Sequence, residues 1–143
     1  MDGEFVKVAI VGSRNFSNYD IFCNIIWRVC SENNLKIEWI ISGGARGADS
    51  LAERYAKENN INITIVYPKW DLYGKSAGII RNHNIIKSCD VCIAFWDGES
   101  MGTKNDIDLC EKFNTPCFVY DFKKDIIYKL ANYIQSDFNN LFI

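Results

Sequence analysis

The sequence predicts an α/β, Rossmann-like, doubly wound domain: a mostly parallel sheet of about five strands with helices on both faces. Three observations carry this. Short runs rich in Val and Ile recur along the chain, amphipathic helical segments separate them, and two strand-to-helix junctions are rich in glycine. Near-continuous apolar strands suit a sheet covered on both sides, which is the usual setting of parallel strands.

Phe5 to Val11 is the first strand, and it ends at Gly12-Ser13-Arg14-Asn15-Phe16. Asn18 and Asp20 offer capping side chains to a helix that runs to about Glu32, with Ile21, Ile25, Trp27 and Val29 among its apolar residues. Lys36 to Ser42 is the second strand. The helix after it spans about Ala48 to Asn59, with Leu51, Ala52, Tyr55 and Ala56 at helical spacing. Ile61 to Val66 is β-branched and forms a third strand, followed by a long polar and aromatic connection from Tyr67 to Lys75. Ala77 to Lys87 is helical and Val91 to Phe95 is the fourth strand. A helix of about ten residues then leads from the Trp96 to Thr103 loop to Phe113. Pro116 to Tyr120 is the fifth strand, and Lys123 to about Ser136 reads as a final amphipathic helix before the apolar end Leu141-Phe142-Ile143.

A chain of 143 residues fits one domain, here taken as 1–143, with no internal repeat or linker. Met1-Asp2-Gly3-Glu4 is acidic and leads into an apolar run too short to span a bilayer, so neither a signal peptide nor a membrane partner is expected and the location is read as cytoplasmic. A net charge of -2 and a pI near 5.4 argue against general nucleic-acid binding, and leave room for a small anionic ligand held by a few local cations. There are six cysteines, and Cys89-Asp90-Val91-Cys92 has CxxC spacing. No second CxxC follows and the lone His83 lies at no zinc-finger distance, so buried reduced thiols are expected, with no metal and no cofactor.

The stretch Ser42-Gly43-Gly44-Ala45-Arg46-Gly47-Ala48-Asp49 joins a strand to a helix in the manner of a phosphate cradle. Glycines permit close approach, and unpaired helix-start amides favour an anion. The loop matches neither GxxxxGK[ST] nor GxGxxG. Its alternative is a tight turn that binds nothing, against which Arg46 counts. In a doubly wound sheet the loops after strands one to four share one edge, so they form a single candidate site. Arg14, Arg46, Lys75, Arg81 and Lys104 are its candidate cations, with solvated surface charge as the alternative. Trp70, Tyr73 and Trp96 could stack on a base or ribose, or pack in the core. Ser13, Ser42, Ser100 and Thr103 can donate to phosphate or ribose oxygens. With one histidine and no GxSxG elbow, none reads as a nucleophile. Asp49, Asp97, Glu99 and Asp106 fall at loop ends or first helical turns, where they cap a helix, bind ribose hydroxyls or act on a glycosidic bond.

Taken together, Val11-Gly12-Ser13-Arg14-Asn15-Phe16, the Ser42 to Asp49 loop, Trp70 with Gly74-Lys75 and Ala77-Gly78, Arg81-Asn82, and Ala94-Phe95-Trp96-Asp97-Gly98 with Ser100 and Gly102-Thr103 resemble the YspA-type branch of the SLOG superfamily. The resemblance implies a Rossmann-like domain that senses or processes nucleotide-derived ligands, with relatives that bind ADP-ribose-type signals of antiviral immunity and related folds that often self-associate; the leading reading is a protein that senses or sequesters such a ligand. On it rest the ligand-binding assignments of Gly12, Ser13, Arg14, Ser42, Gly43, Gly44, Arg46, Gly47, Asp49, Trp70, Lys75, Arg81, Asn82, Trp96, Asp97, Gly98, Ser100, Gly102 and Thr103. The more distant Lonely Guy enzymes cleave nucleoside monophosphates and carry GGxGTxxE. Here Glu99 and Ser100 replace its first two glycines, Gly102-Thr103 match, and Asp106 stands for the glutamate. An N-glycosidase, with Asp106 or Glu99 assisting and Arg81 holding phosphate, is thus the alternative to a binding protein. A homo-oligomeric interaction module is the third reading.

Overall fold

The computed structural model describes residues 3–130. Its elements are β1 (Glu4–Gly12), α1 (Tyr19–Glu32), β2 (Leu35–Ser42), α2 (Ala48–Glu58), β3 (Asn62–Ile65), α3 (Trp70–Tyr73), α4 (Ala77–Ser88), β4 (Val91–Trp96), α5 (Met101–Lys112), β5 (Cys117–Asp121) and β6 (Ile126–Lys129). They form one six-stranded sheet in the order β3-β2-β1-β4-β5-β6, parallel throughout except for the antiparallel β5–β6 pair. The chain winds outward from β1 to β3 on one side, then returns to pair β4 with β1 and winds outward on the other. The order therefore reverses at the β1/β4 boundary, where such sheets leave a crevice at their carboxyl ends.

Alternation along β1 explains why both faces are dry. Val6, Val8 and Ile10 meet Phe22, Ile25, Ile26, Val29, Ala52 and Ala56 of α1 and α2. Ala9 and Val11 point the other way, into a layer with Ile85, Ile86, Ile107 and Cys110 of α4 and α5. Burying each Ile or Phe of this kind contributes about 1.5–3 kcal/mol, so these two layers dominate the stabilisation of the sheet. Phe16, at the end of the loop after β1, stacks on Phe95 with ring centroids 5.1 Å apart and anchors that loop to the core. The Asn18 carboxamide caps α1 by accepting from the Ile21 amide at 3.0 Å, as its position before the apolar stripe predicts. Among the described residues, no helix is long and apolar enough to cross a membrane.

Two segments differ from the sequence expectation. The Tyr67 to Lys75 connection is not a plain loop: it contains α3 and a 3-10 turn over Gly74–Ser76. The expected helix from Lys123 is instead a turn followed by β6, which adds a sixth strand. Asp121 Oδ1 accepts from the Lys123 and Lys124 amides at 3.0 and 3.1 Å, Asp125 takes φ of 54°, and the Tyr120 hydroxyl donates to Asp125 at 2.6 Å. These carboxylates supply the turn with local partners that a helix start would have had to displace. The rest of that expected helix and the Leu141 to Ile143 end lie outside the described residues.

Candidate functional site

A cavity of about 380 Å3 opens at the β1/β4 crevice. Gly12, Ser13, Arg14 and Asn15 reach it from the end of β1, Gly43, Ala45 and Asp49 from the β2–α2 junction, and Asp97 and Ser100 from the loop after β4. Gly102, Thr103 and Asp106 border it from the first turns of α5, and Arg81 and Asn82 from α4. Neither α2 nor α5 has a side-chain N-cap, so two helix starts bring uncapped backbone amides and positive dipole ends to this edge.

The loops are tied to one another. Ser13 is buried, its Oγ lies 3.0 Å from Ser100 Oγ, and it accepts from the Asp97 amide at 3.2 Å. Asp97 Oδ1 accepts from the Ser100 and Glu99 amides at 2.7 and 2.9 Å. Burial works to raise the Asp97 carboxyl, but those amide bonds outweigh it and hold the group below its ordinary range. Gly47 takes φ of 75°, and a side chain there would run into the Ser13 carbonyl and Arg14, so its backbone takes the inner place in the loop.

Arg81 spans the floor. Its Nη1 donates to the Gly43 carbonyl at 2.6 Å and its Nε to Asn82 Oδ1 at 2.9 Å, while Asn82 Nδ2 continues to Asn105 at 3.1 Å. Two of the five guanidinium donors are used in this way. Two carboxyls lie beside it. Asp49 Oδ2 accepts from the Ala45 amide at 3.0 Å, yet burial raises Asp49 to about 6 against the pull of that amide and of Arg81. Burial, and then the charge of Asp49, push Asp106 well above the carboxylate range. Asp106 Oδ1 is buried without a hydrogen-bond partner, as is Ser42 Oγ. Asp106 thus borders the cavity as a carboxyl whose protonated form is favoured by burial and by the neighbouring Asp49.

Of the residues expected at the site, the structure brings Gly12, Ser13, Arg14, Gly43, Asp49, Arg81, Asn82, Asp97, Ser100, Gly102, Thr103 and Asp106 to one cavity. Others lie apart from its lining. Arg46 and Glu99 are exposed, Ser42, Gly44 and Gly47 support the loop from behind, and Gly98 turns at φ of 84°. Lys75 is exposed in the 3-10 turn, and Trp70 is 55% exposed on α3. Trp96 is half-buried, packs against the α4–α5 layer and donates its Nε1–H to the Ser100 carbonyl at 3.1 Å, so its ring braces the loop. Asn15, the Ala45 backbone and Ile85 also line the cavity. Only Asn15, next to Arg14 in a loop after a strand, carried a signal that could have placed it there.

Sequence spacing also misdirected the cysteines. Cys92 does not group with Cys89; it meets Cys110 of α5 and Cys117 of β5, with the three Sγ atoms within 4.8 Å of one another and fully buried. Cys92 and Cys117 pair across β4 and β5, which no local motif reveals. Thiolates so placed could hold a soft metal ion. Within the trio the Cys92 thiol donates to its neighbours, which together with burial raises Cys92, while accepting from Cys110 and Cys92 pulls Cys117 down to about 5.

A profile of the YspA, cpYpsA-related SLOG family matches residues 6–73, from β1 through the glycine loop to α3. The Gene 61 protein of Mycobacterium phage D29 is 36% identical over 119 residues, which cover 77% of this chain and 92% of that one. The chain belongs to the YspA, cpYpsA-related SLOG family. Among solved structures, DNA processing protein A of Helicobacter pylori superimposes with a TM-score of 0.59 at 24% identity, covering 80% of this chain and 64% of that one. DNA processing protein A of Streptococcus pneumoniae gives 0.62 at 23%, covering 80% and 50%. This SLOG chain thus spans about half to two-thirds of those two, and the likeness is one of fold.

One expectation is corrected by these neighbours. The Helicobacter pylori protein is described by its single-stranded DNA binding mode, so nucleic acid is not excluded as a partner of a fold of this kind. The physical reason is that binding responds to the local charges at a cleft, which here include Arg14 and Arg81, and not to net charge alone.

Proposed function

We propose that this SLOG domain binds a nucleotide-derived small molecule of the ADP-ribose type, with a phosphate in the β1/β4 cavity, and acts by sensing or sequestering it. One observation carries the reading: Arg14, Arg81 and the uncapped starts of α2 and α5 converge on a single cavity at the switch in strand order. Ser13, Ser100 and Thr103 add hydroxyl donors to the same cavity. Heating purified protein and identifying any released small molecule by mass spectrometry tests this; recovery of a phosphate-bearing nucleotide supports it. If added single-stranded oligonucleotide binds more tightly than ADP-ribose, the small-ligand reading fails.

A second reading, cleavage of an N-glycosidic bond, is favoured by Asp106, a buried carboxyl whose protonated form burial favours, beside Arg81. In that role the Asp106 carboxyl protonates the departing base, while Arg81 holds the phosphate. Glu99, exposed and away from the cavity lining, does not share the task. Chromatography of nucleoside monophosphates and NAD after incubation distinguishes the two: free base means hydrolysis, and intact nucleotide means binding alone.

A further inference from the structure

Arg81 borders a second, smaller groove of about 140 Å3 as well as the main cavity. This groove lies between the segment after β3 and the first turns of α4. Tyr67, Tyr73 and Ile80 form its apolar walls, with Lys69 and Asn84 at its polar margins. Gly44 connects it to the glycine loop: a Cβ there would lie 2.7 Å from Tyr67 Cε1, so the phenol ring rests directly on the loop backbone.

Resting on the phosphate reading above, we infer that this groove is the base subsite, in which Tyr67 and Tyr73 stack on the heteroaromatic base of a nucleotide whose phosphate lies in the main cavity. Three features argue for it. Tyr67 and Tyr73 are 61% and 47% exposed, a costly display of aromatic surface that a base would cover. The groove is of a size for one ring system and not for a whole nucleotide, whereas the main cavity accommodates phosphate and sugar. The two meet at Arg81, so a ligand that spans them keeps its phosphate beside the guanidinium while its base extends along α4. Of the three aromatic residues the sequence singled out, Tyr73 lines the groove, and Trp70 and Trp96 line neither space. The ligand class is thereby narrowed to molecules carrying both a phosphate and a base, in preference to sugar phosphates.

Titration calorimetry of the full chain with AMP and with ribose 5-phosphate tests the assignment, in the wild type and in Tyr67→Ala, Tyr73→Ala and Arg81→Ala. Both tyrosines are exposed, so circular dichroism of their variants should match the wild type. The base subsite predicts that AMP binds more tightly than ribose 5-phosphate. Each tyrosine substitution should weaken AMP by about tenfold, the scale of one base–aromatic stack, and leave ribose 5-phosphate unchanged. Tyrosine variants that keep full AMP affinity, while Arg81→Ala loses it, would overturn the base subsite and leave the phosphate cavity standing. Equal weakening of both probes would overturn it too, because the rings would then shape the cavity without touching a base. If the wild type binds neither probe, the phosphate reading fails and the subsite fails with it.

Discussion

Arg81 Nη1 donates a 2.6 Å hydrogen bond to the carbonyl of Gly43, so a side chain of α4 fastens the glycine loop that follows β2. The two residues are 38 positions apart, and the bond couples the helix that borders the smaller groove to the loop that borders the main cavity.

That coupling should be measurable without ligand. Hydrogen bonds to charged groups contribute about 1.5–3 kcal/mol, with the lower end applying to this half-buried side chain. Arg81→Ala should lower stability in urea by about 1 kcal/mol or more and raise hydrogen exchange at Gly44 and Ala45. Unchanged exchange there would show that the bond does not hold the loop.

The Asp49 carboxyl makes stability depend on pH in a defined direction. Its folded value of about 6 lies above the ordinary 3.8, so between those limits the folded state holds more protons than the unfolded chain. Stability is therefore greatest on the acid side of the window and falls as pH rises through it, by on the order of 3 kcal/mol. Asp49→Asn, which can still accept from the Ala45 amide, should flatten that slope and be more stable than the wild type at pH 7.5. Parallel slopes in the two proteins would contradict this assignment.

The Asp49 carboxyl also links protons to ligand. An incoming phosphate favours its neutral form, so affinity should rise as pH falls from 8 towards 6. Calorimetry in buffers of different ionisation enthalpy should register net proton uptake on binding. Proton release would mean that the anion lies elsewhere.

Gly47 sets the loop's inner course at φ of 75°, against Ser13 and Arg14. Gly47→Ala adds a Cβ to a conformation that L residues rarely adopt, and where it meets backbone. A loss of about 1–3 kcal/mol is expected, along with weaker ligand binding. A neutral result in thermal unfolding would show that the loop can be rebuilt cheaply.

Thiol chemistry gives a separate check on the core. Cys92, Cys110 and Cys117 are buried, and Cys23, Cys30 and Cys89 half-buried. Burial pushes the Cys89 thiol up to about 12, so it should react slowly at pH 8. A chromogenic disulfide should therefore label the buried three only on unfolding. Rapid labelling of all six in the native protein would refute this packing.

Much of this was legible in the sequence, and the remainder was hidden for physical reasons. Near-continuous apolar runs such as Val8 to Val11 announce strands buried on both faces, and glycine after a strand announces a crevice, so the doubly wound sheet and a single shared edge could be read directly. Local chemistry misled where short-range bonds decide the outcome: Asp121 and Asp125 build a hairpin turn in a segment whose apolar spacing suits a helix. Aromatic residues were harder still. Whether Trp96 meets a ligand or braces a loop depends on the Ser100 carbonyl it finds, and the Cys92–Cys110–Cys117 group depends on strand pairing. Arg46, next to the glycines, was the more conspicuous cation in sequence. Arg81, from α4, the third helix after it, is the arginine that reaches the loop.

The central claim, that the β1/β4 cavity holds the phosphate of a nucleotide-derived ligand, is tested most directly by calorimetric titration of ADP-ribose into the wild type and into Arg81→Ala and Arg46→Ala. The account predicts saturable one-site binding to the wild type. Arg81→Ala should bind about 10- to 100-fold more weakly, the loss of a charge-assisted contact, and exposed Arg46→Ala should change little. Equal affinity of Arg81→Ala and the wild type would contradict it.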